Sequence, residues 1–312
     1  MQTSEMTAAQ LRESVVAVPP LARNEDLSLS REENGKIISY LERGGIRTFL
    51  YGGNANFYNI SLSDFEESLG MLEALAGDQT LMIPSIGPSF GFMMDQVKIL
   101  RNSSFPTVMV LPAAFAATES GVATGIRKAC EALGRKVVLY IKNEGYIDNA
   151  DAARLVNDGL ISVIKYAIVR ENPAQDAVLS DLTDRVDPAM IMSGIGEQPA
   201  IIHLRDFKLG GFTSGCVCVA PKQSMSMLRA LIQGDWDHAE HVRMVFTQLE
   251  DLRNSINPIR VLHEAVELAE IAATGPHYPN LSSIGDGNRQ KVWQAARMLK
   301  HLDLVARDSV LS

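Results

Sequence analysis

In this chain of 312 residues, a lysine and a tyrosine on successive apolar runs are the side chains whose setting could do chemistry. Lys165 lies in ISVIKYAIVR, residues 161–170, where Ile161, Val163, Ile164, Ala167 and Ile168 read as a buried strand. Charged lysine is among the residues least often fully buried, so this strand admits two readings. In one, Lys165 sits at the strand end and its long stem carries the ammonium to water. In the other, it points into a dry pocket, where desolvation lowers its pKa and frees the amine to attack a carbonyl. Tyr140 closes the preceding apolar run, KVVLYIK. A phenol can relay protons when its oxygen reaches an amine or a substrate.

What must position these two residues is a series of strands. Apolar runs begin at Val15, Ile46, Thr80, Thr107, Lys136, Leu160, Pro188 and Gly210. Most are continuously apolar and β-branched, the pattern of parallel strands buried on both faces. Helical patterns lie between them. SREENGKIISYLERGG places Ile37, Ile38 and Leu41 on one face and stops at Gly44-Gly45. SLSDFEESLGMLEALAG opens with Ser and an acidic turn, then spaces Leu69, Leu72 and Leu75 at helical intervals. Eight βα units in series predict an α/β fold, a (β/α)8 TIM barrel over residues 1–222. After Val219 the strand signal stops, and residues 223–312 are expected to form a helical C-terminal extension packed on the barrel.

Composition narrows the partners. Lys plus Arg number 29 against 37 Asp plus Glu, a net charge of −8. With no basic block, nucleic acid and anionic membrane are not expected partners. No apolar run approaches the roughly 18 residues of a membrane span, and MQTSEMTAAQLRESVV has no apolar signal core. Three cysteines, Cys130, Cys216 and Cys218, suit a reducing compartment, so a cytoplasmic protein is expected. Cys216 and Cys218 would share one face of the last strand as buried structural thiols.

Active sites of such barrels lie at the C-terminal strand ends. That rule collects Gly53 and Asn54 after strand 2, Tyr140 on strand 5 and Lys165 on strand 6. Strand 7 adds Ser193 and Gly194, and strand 8 adds Thr213 and Ser214. Gly-Gly-Asn and Ser-Gly turns can present bare backbone N–H groups to a carboxylate. Rival signals are thin. His238 and His241 have paired-ligand spacing but no third ligand, and His263-Glu264 lacks the second His of H-E-x-x-H. Phosphate-loop, dinucleotide-loop and nucleophile-elbow patterns are absent. No metal or cofactor is implied.

With these residues in place, the sequence resembles the dihydrodipicolinate synthase/N-acetylneuraminate lyase family of class I lyases over nearly its whole length. AVPPL from Ala17 is similar to the family's A-x-x-T-P-F opening, and YGGNANFYNIS to G-T-T-G-E with its following Ser. LYIKNEG stands where the family has L-Y-N-x-P, and VIKYA matches the strand that bears the Schiff-base lysine. SGIGE matches the S-G-D-D-type turn, and GGFTSGCVCVAPK the G-x-x-G-x-I-S segment. The resemblance implies that Lys165 forms an imine with a 2-keto acid, that Tyr140 relays the proton, and that the assembly is a homo-oligomer, a dimer or a tetramer built from dimers.

The departures are specific. The family's two hydroxyls after the first Gly of G-T-T-G-E are Gly53 and Asn54 here. The tyrosine inserted by a neighbouring subunit follows a strand-4 Pro; here Pro112 is followed by Ala113, Ala114 and Phe115. The arginine that binds the aldehyde's carboxylate stands five residues after the tyrosine, at what is Gly145 here. Gly52-Gly53, Phe57-Tyr58 and Lys142-Asn143 are closer to the sugar-acid dehydratase branch, although its Lys-Asp-Gly is Lys165-Tyr166-Ala167 here. The expectation is therefore a Schiff-base aldolase or dehydratase acting on a hydroxylated, sugar-derived 2-keto acid, rather than dihydrodipicolinate synthase proper. A non-catalytic barrel that binds a keto acid is the alternative, because a fold does not fix a function. A metal-dependent barrel enzyme is a third reading, opposed by the lack of clustered ligands.

Overall fold

Eight apolar runs close into a parallel barrel in sequence order in the computed structural model, which describes residues 1–113 and 116–306. The strands are β1 (Val16–Ala17), β2 (Thr48–Tyr51), β3 (Leu81–Ile86), β4 (Met109–Val110), β5 (Val137–Ile141), β6 (Ile161–Tyr166), β7 (Ile191–Ser193) and β8 (Gly211–Ser214). After the short α1 (Gln10–Glu13), helices alternate with strands: α2 (Arg31–Arg43), α3 (Leu62–Leu75), α4 (Phe90–Leu100), α5 (Glu119–Leu133), α6 (Asn149–Asn157), α7 (Ala177–Arg185) and α8 (Ala200–Asp206). α9 (Pro221–Gln233) follows β8 and completes the eighth unit. The C-terminal helices are α10 (Trp236–Ser255), α11 (Pro258–Leu268) and α12 (Asp286–Val305).

Local chemistry sets the helix starts. Ser30, Ser61, Thr118 and Asp176 each accept the backbone N–H three residues on, satisfying a donor that the first turn leaves free. Leu69 and Leu72 are buried on α3, as their spacing predicts, and Gly44 ends α2. The expected division at residue 222 falls within α9. Among the described residues no helix is long and apolar enough to cross a membrane.

One expectation fails. The last apolar run does not continue as strand through Cys216 and Cys218; β8 stops at Ser214, and Cys216–Cys218 form a 3-10 turn. The Ser214 hydroxyl accepts the Val217 N–H at 2.9 Å, which turns the chain out of the sheet. All three cysteines are buried thiols, and burial pushes each well above its ordinary pKa.

Register fixes which side chains face the barrel axis. Tyr140 pairs with Lys165, Lys165 with Met192, and Met192 with Gly211. The neighbouring layer turns outward: the Tyr166 hydroxyl donates to Asp176 at 2.7 Å, and Ser193 Oγ bonds His203 Nδ1 at 2.8 Å in the helix layer. Because successive strand residues alternate faces, Tyr140 and Lys165 point inward.

Candidate active site

Lys165 stands one residue before the C-terminal end of β6 and is 5% exposed. Its pKa is brought down to about 7, chiefly by loss of hydration, and further by the charges of Lys142 and Arg253. The solvated reading of this lysine does not hold: the stem does not carry the ammonium to water. Nζ lies 4.5 Å from the centroid of the Tyr140 ring. That ring attracts the ammonium by about 2 kcal/mol when desolvated, against the desolvation that favours the neutral amine.

A close backbone approach makes room for the lysine stem. Gly194 N–H donates to Tyr166 O at 2.6 Å. A Cβ on Gly194 would lie 3.0 Å from Lys165 Cγ, 2.8 Å from Tyr166 O and 2.7 Å from Ala167 Cβ. Only glycine lets β7 pass this near.

Tyr140 meets the amine with its ring face, not its hydroxyl. Among the described residues, nothing hydrogen-bonds that hydroxyl. Burial, then the neighbouring Tyr58, pushes its pKa up, so the phenol keeps its proton at neutral pH. Tyr58, itself raised to about 12 by burial, lies 3.8 Å from the Cβ position of Gly53 and 5.7 Å from Lys142 Nζ through its ring. Tyr140, Tyr58 and exposed Lys142 thus surround the approach to Lys165.

The remaining sequence-expected residues divide. Asn54 comes to the mouth, its Nδ2 donating to Val18 O at 2.8 Å. Thr213 is buried on the inward face of β8, in register with Val16 of β1. Ser193 is turned away from Lys165 to His203, a buried imidazole held neutral with its pKa lowered to about 4 by burial. The Ser214 hydroxyl is likewise committed, donating to Glu197 Oε2 at 2.8 Å. Neither hydroxyl is brought to the amine. Ala114 and Phe115, where an inserted tyrosine was sought, lie outside the described residues; Gly145 is a left-handed turn residue with φ of 70°.

Three residues around the mouth escaped the sequence reading. Glu197 and Glu250 are both buried, and burial raises both carboxyls, Glu250 further through Glu197. Glu197 accepts from Ser214 and Ser224 at 2.8 and 2.6 Å. Glu250 accepts the backbone N–H groups of Glu197 and Gln198 at 2.9 and 3.1 Å, which ties α10 to the turn after β7. Arg253, one turn later on α10, reaches Gly215 at the end of β8. Its only signal in the sequence was a charged residue on a mixed helix, indistinguishable from a solvated one.

No family model matches the sequence, and no curated protein matches it. Likeness appears in the fold. Dihydrodipicolinate synthase from Bacillus clausii is 22% identical with a TM-score of 0.83, across 94% of this chain and 99% of that one. A catalytic-lysine mutant of Ruminococcus gnavus sialic acid aldolase is 14% identical with a TM-score of 0.82, across 94% and 97%. A prophage protein of the dihydrodipicolinic acid synthase family from E. coli K12, solved with pyruvate, is 15% identical with a TM-score of 0.79, across 92% and 98%. From barrel to C-terminal helices, this chain has the fold of the dihydrodipicolinate synthase and sialic acid aldolase structures.

Proposed function

We propose that the chain is a Schiff-base lyase, an aldolase or dehydratase, acting on a hydroxylated 2-keto acid in the cytoplasm. The observation that carries this is Lys165: a buried, inward-facing amine at a strand's C-terminal end, with its pKa lowered to about 7. A neutral amine is what carbonyl attack needs. The amine nitrogen adds to C2 of the keto acid, and loss of water with uptake of one proton leaves the protonated imine. The imine draws the electron pair of a bond at the neighbouring carbon. In aldol cleavage the C3–C4 pair moves to C3 as an enamine while the C4 hydroxyl gives up its proton. In dehydration a proton leaves C3 and the C4 hydroxyl leaves as water. Tyr140, protonated and unpartnered at its oxygen, is the group we assign to carry these protons.

The lack of a guanidinium at Gly145 argues against condensation of pyruvate with aspartate semialdehyde, because a single ammonium such as Lys142 is a poor substitute for a bidentate Arg–carboxylate contact. Robust condensation in a coupled assay would overturn that specificity. We take the assembly to be a homo-oligomer, dimer or tetramer, which light scattering checks.

Borohydride reduction in the presence of pyruvate tests the imine. An adduct is expected on Lys165 and on no other lysine, and is absent in Lys165→Ala and Lys165→Arg. A guanidinium stays charged and cannot form the imine. A reduced adduct mapped to Lys142, or none with any 2-keto acid tested on folded protein, moves the reading to a keto-acid-binding barrel.

A further inference from the structure

Arg253 of α10 is 9% exposed, yet among the described residues no carboxylate lies within 4 Å of its guanidinium. Its polar contacts are Nε to Pro258 O at 3.4 Å and Nη1 to Cys216 Sγ at 3.8 Å, both long. The nearby carboxyls are spent elsewhere, Glu197 on Ser214 and Ser224, Glu250 on two backbone N–H groups. Buried charges are ordinarily paired, since stripping their water without a partner is costly. This one is left with donors to spare.

Those donors have a direction. A Cβ built on Gly215 would lie 2.6 Å from Arg253 Nη2 and 2.9 Å from Asn54 Nδ2. Two nitrogens from distant parts of the chain thus meet against the bare Cα of Gly215, where a side chain would hold them off. Asn54 Nδ2 uses one hydrogen on Val18 O and keeps a second. The pair stands just beyond the ends of β2 and β8, on the barrel face where β6 ends beside Lys165, and the charge of Arg253 bears on that ammonium. The β2 turn, meanwhile, offers no hydroxyl at Gly53 or Asn54.

We propose that Arg253 and Asn54 grip the carboxylate of the keto acid that Lys165 attacks, over Gly215. The proposal rests on the keto-acid reading above. A planar guanidinium supplies two parallel N–H groups to a carboxylate, which fixes orientation as well as affinity. The frame is stiff, because Glu250, one turn earlier on α10, is bonded to the turn after β7. The grip would aim C2 at the lysine without help from the strand-2 turn.

Two carbonyl probes separate carboxylate recognition from imine formation: pyruvate, and acetone, which has the carbonyl but no carboxylate. Each is titrated against the protein with borohydride at about pH 9, where the amine is largely neutral with or without its charged neighbour. Mass spectrometry gives the concentration for half-maximal modification. Arg253→Met should raise that concentration for pyruvate by roughly 10- to 100-fold, the worth of hydrogen bonds to a charged group, and leave acetone within about twofold. Arg253→Lys should fall between. Gly215→Ala puts a methyl against Arg253 Nη2 and Asn54 Nδ2, displacing both while keeping the arginine, and should show the same selective loss; it decides alone if Arg253→Met does not fold. Equal changes for both probes, or none, would make Arg253 a structural cation and overturn the proposal. If wild-type protein traps neither probe, the imine reading fails separately. The grip is then judged by the thermal shift that pyruvate gives Lys165→Ala: loss of that shift on adding Arg253→Met supports it, and no shift at all overturns it.

Discussion

A single lysine carries opposite consequences for chemistry and for stability. Its folded pKa, about 7, lies below the ordinary lysine value, so the unfolded chain binds more protons between about pH 7 and pH 10.5. Stability contributed by this site therefore rises with pH through that window, and the cost is fully present below it. Lys165→Met should stabilise the protein at pH 7 by a few kcal/mol, on the scale of about 1.4 kcal/mol per pH unit of displacement. The gain should shrink toward zero near pH 10.5, read from urea denaturation at several pH values. An equal gain at every pH would point to packing instead. Tyr140 separates into two parts. Its ring meets the ammonium and its hydroxyl does not. Tyr140→Phe keeps the ring, so trapping of pyruvate by borohydride should survive. Turnover should fall roughly 10²- to 10⁴-fold, the usual loss for a positioned acid–base. Loss of trapping with the hydroxyl would show that the phenol is needed to form the imine, not to turn it over.

At the level of strands and helices, the approach of β7 to β6 is a tight constraint on the lysine stem. Gly194→Ala puts a methyl against Lys165 Cγ and Tyr166 O. It should cost about 1 to 3 kcal/mol in stability, as overpacking does, and slow trapping by displacing the stem. Unchanged trapping would mean that the backbone yields elsewhere. This level also shows what the sequence could reveal. Lys165, Tyr140 and the eight runs were legible because buried parallel strands are written as unbroken apolar stretches, in which a lysine stands out. Cys216–Cys218 was misread because CVCV is as apolar as a strand; the turn comes from the Ser214 hydroxyl taking the Val217 N–H, which no periodicity records. Ser193 and Ser214 were grouped with the site by chain position, but one points to His203 and the other to Glu197. Whether a strand-end hydroxyl faces the axis depends on register and on its partners in the helix layer. Arg253 and Glu250 were illegible because their burial comes from α10 lying against the turns after β7 and β8, a contact between segments far apart in the chain.

Taken as one molecule, the barrel and its C-terminal helices are bonded to each other at the turns after β7 and β8. Removing the Glu250 side chain tests that union. Glu250→Ala leaves the Glu197 and Gln198 N–H groups without acceptors, which should cost about 1 to 3 kcal/mol. It should also weaken pyruvate trapping by loosening the helix that carries Arg253. Glu250→Gln keeps one of the two acceptor oxygens and should lose less than Glu250→Ala in denaturation. Equal loss in both variants would show that both oxygens are needed. The distance of Arg253 from Lys165 along the chain has a further consequence. The last barrel strand ends at Ser214, and Arg253 follows on a helix made afterwards. On the ribosome the reactive amine is therefore synthesised well before the arginine that would admit its substrate. A chain cut short between α9 and α10 would carry the lysine without the arginine proposed to admit its substrate. On that proposal, selectivity arrives only with α10.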